Sequence, residues 1–163
     1  MNQQLAPDLG DVVERFDHVS VAVRDIRGTL PLVALLNGQF CDGGDSGSGD
    51  FRWVQFDLPG SGRLELITPL SSADSDNFLV RFLDTSGEGL HHITLKVTDL
   101  DQAIARATEL GLDVVGVNCS DPAWKEAFVH PKSANGVLVQ IAEWQDGPAT
   151  RQTLAEFLSD GLQ

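Results

Sequence analysis

One segment of this chain occurs twice. His18-Val-Ser-Val-Ala-Val-Arg-Asp-Ile26 and His92-Ile-Thr-Leu-Lys-Val-Thr-Asp-Leu100 begin 74 positions apart, at 18 and 92, with His, Val and Asp identical and the apolar alternation in phase. A second match sets Gly-Arg-Leu-Glu-Leu-Ile67 over Gly-Val-Leu-Val-Gln-Ile141, where Glu65 and Gln140 stand 75 positions apart. Two matches at nearly one offset indicate an internal duplication, which confines the fold to two modules of one design.

Each copy reads as a strand, a helix and three strands. In the first, Val19, Val21 and Val23 alternate with His18, Ser20 and Ala22, the period of two that marks a strand. Asp25 then opens a helix to about Asn37-Gly38, weakened by Pro31. The segment 42–50 has no apolar residue and is expected to be a mobile loop. Strands at 51–58 and 63–68 flank the Pro59-Gly-Ser-Gly62 turn, and a helix over 74–84 ends near Gly87. The second copy is expected as a strand at 91–97, a helix over 100–110 closed by Gly111, and strands near 113–117, 125–130 and 136–142. After Pro148, Leu154, Phe157, Leu158 and Leu162 recur at helical spacing, and this amphipathic helix needs a surface to pack on.

Strand parity carries the chemistry. On the expected strands one face is apolar, with Val19, Val21 and Val23, Leu64 and Leu66, Ile93, Leu95 and Val97, and Val137, Val139 and Ile141, and this face is expected on the helices. The other face carries one potential metal ligand per strand: His18, Glu65, His92 and Gln140. Singly, each has an ordinary structural explanation, but four potential ligands at repeat-equivalent positions on one parity are hard to obtain by chance. Two imidazoles, one carboxylate and one amide oxygen suit a divalent ion such as Mn, Co, Ni, Zn or Fe and leave room for substrate. His91, on the opposite parity, is expected to be a structural neighbour, and His130 a strand-end residue.

A formal net charge of −13 repels phosphate backbones and anionic lipid, so neither nucleic acid nor a membrane surface is an expected partner. No stretch approaches the roughly 18 apolar residues of a membrane span, and no basic segment leads into an apolar run, so the expected setting is cytoplasmic. Cys41 and Cys119 form no C-x-x-C pair and are expected as free thiols. No Ser-His-Asp order, phosphate loop or nucleotide fingerprint occurs, and the partner expected at the metal ligands is a small-molecule substrate.

The segments Phe-Asp-His-Val-Ser-Val-Ala-Val-Arg-Asp, Leu-Glu-Leu-Ile-Thr-Pro-Leu, Gly-Glu-Gly-Leu-His-His-Ile and Phe-Val-His-Pro-Lys-Ser-Ala-Asn-Gly-Val-Leu-Val-Gln-Ile resemble the methylmalonyl-CoA epimerases, and more distantly glyoxalase I, of the vicinal oxygen chelate superfamily. The resemblance runs from about Phe16 to Glu143. It implies an α+β fold of paired βαβββ modules, a curled mixed sheet around a metal cup, with a C-terminal helix. The expected organisation is an N-terminal tail over 1–15, the vicinal oxygen chelate domain over 16–145 with modules at about 16–70 and 90–143, and the amphipathic helix over 148–163. Metal ligation by His18, Glu65, His92 and Gln140, an acyl-CoA thioester as a possible substrate, and a homodimer are further implications. In such enzymes the ion holds the substrate through two oxygens and stabilises the enolate left when a proton departs.

Departures from that pattern bear on the chemistry. The epimerases carry a glutamate as the last ligand, whereas Gln140 is an amide that cannot accept a proton at useful pH. Their second acid is expected on the strand of Trp53-Val-Gln-Phe-Asp57, and Gln55 falls near its place. Glu65 and Gln140 are thus the expected catalytic residues, with Glu65 supplying the carboxylate and Lys96 and Asp57 as further candidates. On sequence alone, Gln140→Glu is expected to add a base and to tighten metal binding. The leading function is a metal-dependent epimerase, isomerase or lyase acting through an enolate. The alternatives are a glyoxalase I-like lyase, a non-catalytic small-molecule-binding protein of the same fold, and an iron-dependent ring-cleaving dioxygenase.

Overall fold

A computed structural model describes residues 11–147 and 150–160. Leu162 and residues 1–10 of the expected tail lie outside the described residues. In chain order the elements are β1 (Val13–Ala22), α1 (Ile26–Leu35), β2 (Gln39–Asp45), β3 (Phe51–Asp57), β4 (Arg63–Pro69), α2 (Phe78–Ser86), β5 (Gly89–Val97), α3 (Leu100–Glu109), β6 (Val114–Asp121), β7 (Trp124–Val129), β8 (Val139–Trp144) and α4 (Leu154–Ser159). The succession βαβββ therefore occurs twice, with α2 between the copies and α4 after them.

The aspartate shared by the two copies has a local cause. Asp25 accepts from the backbone N–H groups of Arg27 and Gly28 at the start of α1, and Asp99 accepts from that of Gln102 at the start of α3. Each satisfies donors that a helix leaves open at its N-terminus. Pro31 is accommodated inside α1.

The strands are hydrogen-bonded in the order β2-β3-β4-β1-β5-β8-β7-β6. β5 and β8 run parallel, while β2-β3-β4 and β6-β7-β8 are antiparallel runs, which makes the sheet mixed and the fold α+β. Two compact units cross the sequence halves: one takes Met1–His18 with His92–Gly147, the other Val19–His91 with Pro148–Gln163.

In the second of these units, Val54 and Phe56 of β3, Leu64 and Leu66 of β4 and Val33 of α1 form a core that Phe157 of α4 joins. Leu154 and Leu158 pack on the same cluster. The apolar stripe of α4, which on sequence alone asks for a packing surface, is thus taken up within the chain. Residues 42–45, expected in a loop, belong to β2 and pair with β3 in a ladder running from Gln39↔Asp57 to Asp45↔Arg52. Backbone hydrogen bonding decides this strand, which has little apolar patterning, and Gly43 admits the ring of Phe157: a Cβ there would meet Phe157 Cε2 at 2.6 Å. The helix expected over 74–84 starts later, at Phe78, because the Asn77 side chain caps the N–H groups of Leu79 and Val80.

The other unit packs α3 on its strands through Leu100 and Ala103, with Val97, Ala127 and Val129 beneath them. Val12, just ahead of β1, is buried in the same cluster, and its carbonyl accepts from the N–H of Thr98.

The expected parity needs one correction. On β1 and β5 the polar-bearing face is the more deeply buried: His18, Ser20, His92, Thr94 and Lys96 are buried, while Val19, Val21, Ile93 and Leu95 are half-buried. His18, Thr94 and Lys96 persist there because each finds a polar partner, whereas the buried Ser20 hydroxyl finds none among the described residues.

Candidate metal centre

Three of the four expected ligands lie in the unit of His92–Gly147. Parallel pairing of β5 with β8 sets Thr94 opposite Gln140, and antiparallel pairing of β7 with β8 sets Phe128 on the other side of Gln140. His92 precedes Thr94 by two residues on β5 and so shares its face. His18, from β1, completes the group, its ring meeting that of His92 edge-on at 5.9 Å between centroids. Phe128 closes on the other edge of His92 at 6.3 Å.

A chain of short hydrogen bonds links these side chains. Thr94 Oγ1 lies 2.8 Å from His18 Nε2 and donates to Gln140 Oε1 at 2.6 Å. Gln140 Nε2 donates in turn to Glu126 Oε2 at 2.6 Å. On its far side His18 Nδ1 meets Asp17 Oδ2 at 2.9 Å, and Arg15 Nε donates to the other oxygen of Asp17 at 2.8 Å.

This donor set fits a cation. In the neutral tautomer with its hydrogen on Nδ1, toward the Asp17 carboxylate, His18 would present Nε2 as a lone pair, the arrangement that a carboxylate behind an imidazole imposes on metal-binding histidines. With its NH2 turned to Glu126, Gln140 presents Oε1 as an acceptor. In that tautomer a nitrogen lone pair of His18 and an oxygen lone pair of Gln140 both face the Thr94 hydroxyl, which has one hydrogen and gives it to Gln140. His18 is 2% exposed, Thr94 0% and Gln140 7%, so water is largely excluded from them.

Glu65, the fourth expected ligand, lies in the other unit. It is buried on β4 between Leu64 and Leu66, and its register partner on β3, Gln55, donates Nε2 to Glu65 Oε2 at 2.9 Å. Gln55 thus orients the Glu65 carboxylate from the neighbouring strand. His91 is held among the rings of Phe78 and Phe82, at 5.6 and 4.7 Å, and its burial pushes the imidazole below its ordinary pKa against the opposing pull of Glu65. These contacts pack the ring against α2. His130 follows β7, where its Nδ1 accepts from the Lys132 N–H in a turn.

The remaining candidates are ion-paired. Asp57 accepts from Arg63 at 2.9 Å on an exposed stretch of β3 and β4. Lys96 is buried, with Nζ 2.8 Å from Asp146 and 3.2 Å from Glu14, over the Trp144 ring. Hydrogen bonds from Arg15 first and Lys96 second hold the Asp146 carboxyl well below the usual carboxylate range. A carboxyl depressed in the folded state stabilises above its unfolded pKa, and that contribution is lost as pH falls through the folded one. Asp146→Asn is expected to lower the melting temperature modestly at neutral pH, since Asp146 is half-exposed. The two proteins should converge only in strongly acid solution, and equal melting at neutral pH would show that these ion pairs contribute nothing.

Asp17, Thr94 and Glu126 are the residues that sequence reasoning missed. Thr94 shares the parity of His92 and was readable as its neighbour. Trp124, Glu126 and Phe128 alternate on β7 just as the ligand strands do, and that strand's parity was the available signal for Glu126.

Comparisons with known proteins agree with this architecture. The family model described as the glyoxalase/bleomycin resistance protein/dioxygenase superfamily matches residues 17–128. An uncharacterized protein of Bacillus subtilis is 31% identical over 137 residues, 80% of this chain and 93% of that protein. The mitochondrial methylmalonyl-CoA epimerase of Dictyostelium discoideum is 34% identical over 89 residues, 50% of this chain and 49% of the relative. Among solved structures, the methylmalonyl-CoA epimerase of Mycobacterium tuberculosis superposes with a TM-score of 0.71 at 25% identity, covering 86% of this chain and 95% of that one.

Proposed function

The chain belongs to the glyoxalase/bleomycin resistance protein/dioxygenase superfamily, and from that premise we propose that it is a metal-dependent isomerase, epimerase or lyase that removes a proton beside the carbonyl of a small acyl substrate, with acyl-CoA thioesters the first class to test. The observation that carries this reading is the convergence of His18 Nε2 and Gln140 Oε1 on the Thr94 hydroxyl beside the His92 ring. His18, Glu65 and His92 each offer one donor atom and are buried, and we assign them, with Gln140, as the ligands of one divalent ion. Mn, Co, Ni, Zn and Fe all accept such a mixed nitrogen and oxygen set. Two relatives named as methylmalonyl-CoA epimerases support the epimerase end of the range.

A divalent ion in that position supplies a Lewis acid that polarises a carbonyl and so acidifies the neighbouring C–H. The chain's own residues divide the rest. Asp17 fixes the His18 ring, Phe128 and His18 fix the His92 ring, and Thr94 orders the donor atoms of His18 and Gln140. Gln140 contributes an amide oxygen and takes no proton, so Glu65, oriented by Gln55, is the carboxylate assigned to proton transfer.

Purified protein is expected to take up about one divalent ion per chain. Once loaded, it should exchange the α-proton of an acyl-CoA thioester in deuterated water, read by NMR, and Glu65→Gln should abolish the exchange. Metal uptake without exchange for any thioester in a broad panel would instead establish the second reading, a binding protein of the same fold, which the amide at position 140 favours.

A further inference from the structure

We propose that Glu126 is a positioning residue for Gln140: it captures the amide NH2 group and thereby makes Gln140 an oxygen donor to the metal centre. This inference rests on the metal reading above and concerns which end of one side chain faces the ion.

A glutamine amide has two ends of nearly one shape, and only the oxygen end offers a lone pair to a cation. Something must therefore hold it the right way round. Gln140 Nε2 donates to Glu126 Oε2 at 2.6 Å, and Gln140 Oε1 accepts from Thr94 at 2.6 Å. Turning the amide over would set its oxygen against the Glu126 carboxylate with no hydrogen between them, which an ionised acceptor at that distance penalises heavily. Glu126 is itself anchored, because Trp124 Nε1 donates to the same Oε2 at 3.2 Å. The β7–β8 register places Glu126 opposite Ala142 and Phe128 opposite Gln140, so Glu126 reaches Gln140 as its diagonal neighbour on one face.

Carboxylate and amide are thus a matched pair across two strands. On this reading Gln140→Glu is expected to weaken metal binding, because that change alone leaves two carboxylates facing each other where one hydrogen bond had been. Exchanging both residues, in Glu126→Gln with Gln140→Glu, restores one donor against one acceptor with the roles reversed.

The test uses the full chain and cobalt(II). Affinity is measured by calorimetry, and the visible absorption of the bound ion reports its coordination, a signal that a merely structural loss does not move. Glu126→Ala and Gln140→Glu are each expected to weaken cobalt binding at least about tenfold, the size typical of residues that orient a ligand. The double variant is expected to return to within about threefold of the unsubstituted protein. Equal or tighter binding by Gln140→Glu alone, an unchanged affinity and spectrum in Glu126→Ala, or no recovery in the double variant would each overturn the role of Glu126 while leaving the metal site in place. An unsubstituted protein that binds no cobalt, manganese, nickel, zinc or iron overturns the metal reading, and this inference with it.

Discussion

His92→Ala should reduce divalent-ion affinity about a hundredfold or more, whereas His91→Ala should leave it nearly unchanged. Adjacent residues on a strand point to opposite faces, and His92 shares its face with Thr94 and the His18 ring while His91 sits among Phe78 and Phe82. If a tightly held ion is worth about 10–16 kcal/mol in total, one of four ligands carries a few kcal/mol, which is a hundredfold or more in affinity. His91→Ala has a different expected signature, because it removes a half-buried ring from two aromatic contacts and so should lower the melting temperature of the metal-free protein. Calorimetric titration with nickel or cobalt separates the two. Equal losses of affinity in both variants would mean that the β5 faces are assigned the wrong way round.

Phe157→Ala should destabilise the protein by about 3–5 kcal/mol, the usual result of emptying a fully packed phenylalanine site. Total stabilities of single domains are about 5–15 kcal/mol, so a large part of the margin would go. Phe157 is 3% exposed, lies 5.9 Å from the Phe40 ring, and has Arg52 stacked over it at 5.5 Å. The close approach to Gly43 leaves no slack for the site to rearrange on that side, and Gly43→Val should be damaging from the opposite direction by forcing the ring away. Chemical denaturation monitored by tryptophan fluorescence gives the number. A loss below about 1 kcal/mol would show that α4 is dispensable to its core.

How far the chain could be read in advance depended on which interaction decides each element. Where burial period and capping decide, as in β5 with Asp99 and α3 after it, the residues were sufficient. β2 was illegible because Cys41-Asp-Gly-Gly-Asp45 has no burial period: its pairing with β3 is a backbone matter, and Gly43 makes room for the Phe157 ring instead of adding a side chain to a core. At the site the same distinction holds. His18, His92 and Gln140 announced themselves through the duplication, and the structure gathers those three in one unit. Asp17 and Glu126 did not, since neither has a counterpart in the other copy: Asp17 aligns with His91, and Gln55, the residue opposite Glu65, corresponds in register to Phe128. Residues that act by supporting a ligand escape a search for repeated ligands.

The burial of Val12 and Phe157 with residues far away in sequence has a bearing on how the protein comes into being. Val12 is buried with Val97 and Leu100, and Phe157 with Val54 and Leu66, so neither core is complete in either half. On the ribosome, the first copy would emerge whole and still wait for residue 157 before closing its hydrophobic surface. Severing the chain between the copies should release two fragments that each lack a piece held by the other, recoverable only by association. A duplicated chain whose cores are shared in this way no longer divides into two self-sufficient modules at the point between its copies, because each core needs a residue from beyond it.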